Sequence, residues 1–295
     1  MSILIKKGRV VDPASGEEGV FDILIEGERI RRISGNIKVL AEEVIDAEGK
    51  VVIPGLVDMH VHARQPGRED EETIRSVTLA AARGGFTTIC CMPNTTPVTD
   101  TPAVVEYIYR EAEKSALVEV LVIGAITTGC RGKRLSEMGR LKKAGVVAFS
   151  DDGRWVVDSQ VMRRALEYSK MLNLPVISHC EDPYLSRDGF VNEGYWSTVL
   201  GLPGIPSEAE EIAVFRDLAL ARLTGGKLHI AHVSCEKAVK LIREAKREKI
   251  KVTCEVTPHH LALSDEAIRS FNANTKVNPP LRTPQDIESL KMGLK

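Results

Sequence analysis

The pattern of apolar and polar positions changes character near Pro54 of this 295-residue chain. Before it, ILIKKGRVVD, FDILIEGERI, RRISG and EEVIDAEGKVVIPG are short runs that alternate apolar with polar residues between Gly, Asp and Pro. That period of two predicts half-buried antiparallel strands, so residues 1–53 read as a small sheet leading into something larger. After it come near-continuous Val- and Ile-rich runs: GLVDMHVH (55–62), TTICCMP (87–93), VEVLVIGAI (118–126), VVAFSDD (146–152), PVISHCED (175–182), KLHIAHVS (227–234) and KVTCEVTPHH (251–260). Between them lie amphipathic segments such as ETIRSVTLAAARGG, DSQVMRRALEYSKMLN and SCEKAVKLIREAKREK. Several carry acidic residues early and Gly or Lys/Arg late, as helix ends prefer.

Buried strands alternating with amphipathic helices predict a parallel sheet covered by helices. Seven such units in series, with no Gly-rich nucleotide loop after the first strand, favour a (β/α)8 TIM-type barrel over a doubly wound sheet. Such a barrel closes with eight strands. The chain reaches PQDIESLKMGLK inside the seventh helix, so residues 54–295 read as a barrel lacking its eighth strand, in a partial sequence.

Composition narrows the class. Forty basic and 41 acidic residues leave a formal net charge of −1, interspersed along the length, which argues against a nucleic-acid partner. Six cysteines (Cys90, Cys91, Cys130, Cys180, Cys235 and Cys254) form no C-x-x-C pair and read as buried thiols in a reducing compartment. MSILIKKGRVVD lacks the apolar run of a signal peptide, and no stretch approaches the roughly 20 apolar residues of a membrane span. The expectation is a cytoplasmic protein with no membrane partner.

The candidate chemistry lies at the strand ends, where barrel enzymes assemble their sites. His60 and His62 close the first strand and share a face, with Asp58 one step deeper on the same parity, where it could orient a ligand. Asp151 closes the fourth strand, His179 the fifth and His232 the sixth. Singly, each has an ordinary reading: a surface His-x-His, a turn aspartate before Gly153, a hydrogen-bonded core histidine. Together, at the ends of four strands, they are a ligand set suited to zinc, in which a carboxylate between two groups of histidines can bridge two metals sharing a hydroxide. His229, three residues before His232, is expected to face the helix layer. His259 and His260 end the seventh strand and are assigned no ligand role; Lys276 and Arg64, as lone charges, would be surface groups.

PGLVDMHVHAR (54–64), GGFTTICCMPNTTP (84–97), FSDDG (149–153), SHCED (178–182), GIPSEAEEIAVFRDLALA (204–221), HIAHVS (229–234), EVTPHHLAL (255–263) and KVNPPLR (276–282) resemble, in order, the bacterial-type dihydroorotases of the amidohydrolase superfamily. The resemblance implies that residues 1–53 are the N-terminal part of the family's small β-sandwich. It implies a first zinc on His60 and His62, a second on His179 and His232, and a bridge through Asp151 and hydroxide. His62, Arg64, Asn94 and Asn278 would contact substrate. The implied reaction is reversible cyclisation of N-carbamoyl-L-aspartate to (S)-dihydroorotate in pyrimidine (UMP) synthesis. The family's proton acceptor is an aspartate at the end of strand eight, so no general base is named within residues 1–295 and the polypeptide alone is expected to be inactive. Ala63 stands where the family usually has Leu, and Gln65 where Glu is common; neither removes a ligand.

Two alternatives differ in site chemistry. Hydantoinases and allantoinases usually bridge their metals with a carboxylated lysine at the end of strand four, where this chain carries aspartate. Non-catalytic dihydroorotase-like chains lose the ligands and scaffold aspartate carbamoyltransferase, whereas the ligand set here is intact. A homo-oligomer, or a complex of the active enzyme with aspartate carbamoyltransferase, is compatible with the resemblance.

Overall fold

The computed structural model describes residues 1–295, which divide into two units, Met1–Val57 and Asp58–Lys295. In the first, β1 (Ser2–Asp12), β2 (Glu17–Glu26), β3 (Arg29–Ser34), β4 (Glu43–Asp46) and β5 (Val51–Val52) form one sheet, ordered β3-β2-β1-β4 with β5 also on β1. The β1–β2 and β2–β3 pairs are antiparallel as the alternation predicts, but β4 and β5 run parallel to β1. The reason is the connection after β3. Ile37 within it packs with Leu4 and Leu24, and its N–H donates to buried Asp22 at 2.9 Å, so the chain crosses over instead of turning back as a hairpin.

The second unit repeats strand and helix: β6 (Leu56–Val61, which begins at the end of the first unit), α1 (Ile74–Arg83), β7 (Phe86–Cys91), α2 (Pro102–Ser115), β8 (Glu119–Ala125), α3 (Met138–Ala144) and β9 (Ala148–Ser150). It continues through α4 (Ser159–Met171), β10 (Val176–Ser178), a short excursion with β11 (Val191–Asn192), α5 (Tyr195–Leu200) and β12 (Gly204–Ile205), then α6 (Glu208–Thr224) and β13 (Leu228–Ile230). α7 (Glu236–Arg247), β14 (Val252–Cys254), α8 (Pro258–Ala262) and α9 (Pro284–Gly293) complete it. The sheet has seven strands in the order β6-β7-β8-β9-β10-β13-β14, parallel from β7 onward. No helix is long and apolar enough to cross a membrane.

Strand alternation sorts the core into two layers. Phe149, Val176 and Ile230 face the helices, where they join Leu166, Leu218 and Ile242. Their neighbours Ala148, Ile177 and Ala231 face the other way and pack with Cys90, Met92 and Ile123 inside the curl of the sheet. The curl is strong enough that His60 of one margin strand, β6, meets Glu255, just beyond the other margin strand, β14: Nδ1 and Oε1 are 2.5 Å apart. Five cysteines are buried as expected, whereas Cys254 is exposed because β14 has no neighbour on its far side.

Two buried polar networks hold the loops above the strands. Asp217 on α6, with no exposed surface, accepts from Trp155 Nε1 (3.1 Å), Ser178 Oγ (2.6 Å) and Arg216 Nε (2.6 Å). Arg216 stacks on the Trp155 ring and donates to Val156 and Val157 carbonyls, which pins the segment following β9. Glu210 accepts from both the backbone N–H and the hydroxyl of Ser234, while buried Arg282 donates to Ser234 Oγ, Asn192 Oδ1 and the Ile205 carbonyl. This second set ties the segment after β13 to the β11–β12 excursion.

Removing a buried carboxylate that satisfies three donors strands those donors. Asp217→Ala is expected to lower unfolding free energy by about 3 kcal/mol in urea titration, whereas Lys114→Ala, which breaks an exposed pair with Glu111, should cost less than about 1 kcal/mol. Equal costs would contradict the tether.

Candidate metal centre

Each histidine reaches the rim from a strand end, and the buried carboxylate among them belongs to Asp152. Its Oδ2 lies 3.4 Å from His60 Nε2 and 3.5 Å from His62 Nε2. Its Oδ1 lies 3.6 Å from His179 Nδ1 and 3.7 Å from His232 Nε2. One carboxylate therefore faces four imidazoles, two on each oxygen.

Asp151 is not among them. Its oxygens accept from the Thr127 N–H (2.9 Å) and the Thr127 hydroxyl, on the helix-facing side of β9. The expectation of Asp151 is thus corrected by one residue, for a reason visible in the alternation. Ala148 points into the curl and Phe149 away from it, so residues 150 and 152 point in and residue 151 points out.

A second correction concerns His229, which does not face the helix layer. It shares the inward parity of Ala231; its Nδ1 pairs with Thr253 Oγ1 at 2.8 Å and its Nε2 lies 3.3 Å from Glu255 Oε2. Counting three residues back from His232 fails because the chain leaves regular strand geometry there. His232 takes a φ of 33°, a left-handed conformation that costs energy for a non-glycine residue and turns the imidazole into the site. His259 and His260 lie on α8 instead of a strand, and His260 is bound to Thr257 and the Pro279 carbonyl.

The outer partners set which ring nitrogen faces the centre. Glu255 Oε1 and Asn94 Oδ1 can only accept, so His60 and His62 donate from Nδ1, at 2.5 and 3.0 Å. Their Nε2 atoms are left directed at Asp152. Asn94, expected on substrate, meets His62 through its Oδ1. Asp58 accepts from the His60 backbone N–H at 3.0 Å instead of touching an imidazole. Arg64 follows in a left-handed conformation (φ 59°), half-buried and 3.4 Å from Glu71. Gly67 lets this loop close on the next: a Cβ there would lie 2.0 Å from the Thr96 carbonyl oxygen, and Thr96 N–H donates to the Pro66 carbonyl. Asn278 is exposed on the loop before α9, with no side-chain hydrogen bond to the imidazoles. Lys276 lies over the Phe190 ring, 4.7 Å from its centre.

The electrostatics are those of a site short of positive charge. Burial opposes the charge of Asp152, but His179, His232 and His60 outweigh it and hold the carboxyl well below its usual range. Burial pushes His232 down to about 4 and lowers His62, keeping both neutral as ligands must be. For His60, burial is overcome by Asp152 and Glu255, which raise it to about 10. Asp152 Oδ1 is buried without a hydrogen-bond partner, and the His179 and His232 nitrogens beside it stand 2.8 Å apart. Ligand atoms of His60, Asp152 and His232 all lie within 4.8 Å of one another. A buried, orphaned carboxylate oxygen amid converging imidazole nitrogens fits a cation.

A curled parallel sheet that gathers this cluster at the carboxyl ends of its strands has the architecture of the amidohydrolase-type barrels. The family model described as dihydro-orotase-like matches residues 49–238. A dihydroorotase from Acetivibrio thermocellus is 55% identical over 293 residues, covering 99% of this chain and 69% of its own. One from Caldanaerobacter subterraneus subsp. tengcongensis is 54% identical over 295 residues, covering 100% and 68%. Among solved structures, the L-hydantoinase (dihydropyrimidinase) from Arthrobacter aurescens superposes with a TM-score of 0.83 at 25% identity, covering 98% of this chain and 65% of that one. The dihydropyrimidinase from Brevibacillus agri gives 0.83 at 26%, covering 100% and 66%. The chain thus spans just under two thirds of the length of these solved proteins. It belongs to the dihydroorotase family.

Asp152→Asn should abolish retention of a divalent metal through gel filtration. Asp151→Asn should retain the metal with a lowered melting temperature; the reverse pattern would restore Asp151 to the site. Because the metal-free His60 holds its proton up to about pH 10, metal uptake must displace it. Affinity should rise with pH between 6 and 9, by at most about tenfold per unit for one proton, and weakly buffered protein should acidify as metal is added. Uptake without proton release would contradict the His60 assignment.

Proposed function

We propose that this chain is the metal-binding barrel of a dihydroorotase that interconverts N-carbamoyl-L-aspartate and (S)-dihydroorotate with two zinc ions. The observation that carries the reading is the division of four imidazoles between the two oxygens of Asp152. His60 and His62 would hold one ion, His179 and His232 the second, and Asp152 would give one oxygen to each. Imidazole and carboxylate donors at this density suit zinc. When bound, the metals supply Lewis acidity and lower the pKa of water, which hydrolysis of a stable amide requires.

The remaining work falls to the chain. Both substrate and product carry carboxylates, and the Arg64 guanidinium two residues beyond His62 can grip one through two parallel hydrogen bonds. Asn278, free of other partners, can donate to and accept from the ring's amide edge. Asn94 keeps His62 in the tautomer a ligand needs. Asp152, not lysine, stands at the position where hydantoinases usually carry the carboxylated lysine, which separates the reading from that class. The small-molecule substrate is the only partner this chemistry requires; a homo-oligomer or a complex with aspartate carbamoyltransferase is compatible with it.

The protein, loaded with zinc, should cyclise carbamoyl aspartate and hydrolyse dihydroorotate, with little action on hydantoin. Arg64→Ala should raise KM by about 10–100-fold, the range of a charge-assisted contact, with zinc content unchanged. Preference for hydantoin would overturn the substrate class, and loss of metal in the Arg64 variant would overturn the role given to that residue.

A further inference from the structure

Glu255, which opens the EVTPHHLAL stretch and carries no ligand or substrate role, does more than accept from His60: it joins two inward-facing histidines. Its Oε1 accepts from His60 Nδ1 at 2.5 Å, and its Oε2 lies 3.3 Å from Nε2 of the buried His229, a nitrogen with no hydrogen-bond partner of ordinary geometry. The other nitrogen of His229 pairs with Thr253 Oγ1 at 2.8 Å; with the hydroxyl donating, the proton of the neutral ring falls on Nε2, facing Glu255. Thr253 and Glu255 share a parity at the margin strand β14, while His60 belongs to the opposite margin strand, β6.

We propose that Glu255 is a positioning residue for the metal centre, flanked by His229, which Thr253 holds in turn, and that it fixes the His60 ring so that Nε2 faces Asp152. The inference rests on the metal reading given above. A carboxylate that accepts the outer N–H of a ligating imidazole orients the ring and raises its basicity toward the metal. Here the same contact spans the two margins of the curled sheet, so the position of His60 is set from β14 as well as from its own strand. His229 Nε2, 3.3 Å from Oε2, gives Glu255 a second polar neighbour, and rotation of the carboxylate away from His60 would also carry it away from that buried nitrogen.

The test uses the full chain and zinc itself. Affinity is measured by chelator competition in the wild type, Glu255→Ala, Glu255→Asp, Glu255→Gln and His229→Phe, with melting temperature and near-ultraviolet circular dichroism to establish folding. Glu255→Ala should weaken zinc by about 10–100-fold, Glu255→Asp should recover part of that loss, and His229→Phe should give a smaller loss. Nitrogen-15 spectra should show a strongly hydrogen-bonded His60 Nδ1 proton in the wild type, with or without metal, that is absent in Glu255→Ala. Unchanged zinc affinity and an unchanged His60 signal in a folded Glu255→Ala protein would overturn the proposal. If Glu255→Ala does not fold, the same two readings on Glu255→Gln decide it. A wild type that binds no zinc would sink the metal reading, while the His60 proton signal would still decide whether Glu255 positions that ring.

Discussion

Burying one carboxylate between four imidazoles is the constraint on which the rest of the second unit depends. An ionised aspartate with almost no exposed surface is costly unless positive charge or donors surround it. Here the compensation comes from the ends of three strands, β6, β10 and β13, and the carboxylate from a fourth, β9, so the strands must curl enough to bring their C-terminal ends together. That requirement explains the left-handed turn at His232 and the buried networks of Asp217 and Arg282 that hold the rim segments in place. The site is assembled by the fold, and the fold is tied down by groups one layer further out.

Those outer groups divide the labour. Asn94 and Glu255 set ring orientation for His62 and His60, each accepting the proton that would otherwise point the wrong way. Burial lowers His232 and His62, whereas two carboxylates, Asp152 and Glu255, raise His60. The difference follows from neighbours and not from residue type: five inward histidines in one sheet have distinct tasks.

Much of this was legible in the sequence. Val/Ile runs separated by amphipathic segments locate all seven barrel strands, because a strand buried on both faces tolerates little else. The four histidines that converge on Asp152 follow from their places at strand ends. What went astray was parity. Asp151 and Asp152 are both plausible ends of VVAFSDD, and only the inward direction of Ala148 separates them. His229 was misplaced because a single positive φ at His232 breaks the count, and nothing in HIAHVS announces it. Glu255 shares the inward parity of Thr253 and could have been found the same way. The parallel pairing of β4 and β5 depends on Ile37 and Asp22, a tertiary contact that alternation does not encode.

The central claim is that Asp152 sits between two metal positions, each completed by a pair of imidazoles. Anomalous diffraction at the zinc edge, from crystals of the zinc-loaded protein, reads this directly. The account predicts two peaks flanking the Asp152 carboxylate, one beside His60 and His62 and the other beside His179 and His232. Peaks lying beside Asp151, or away from these imidazoles altogether, would contradict it.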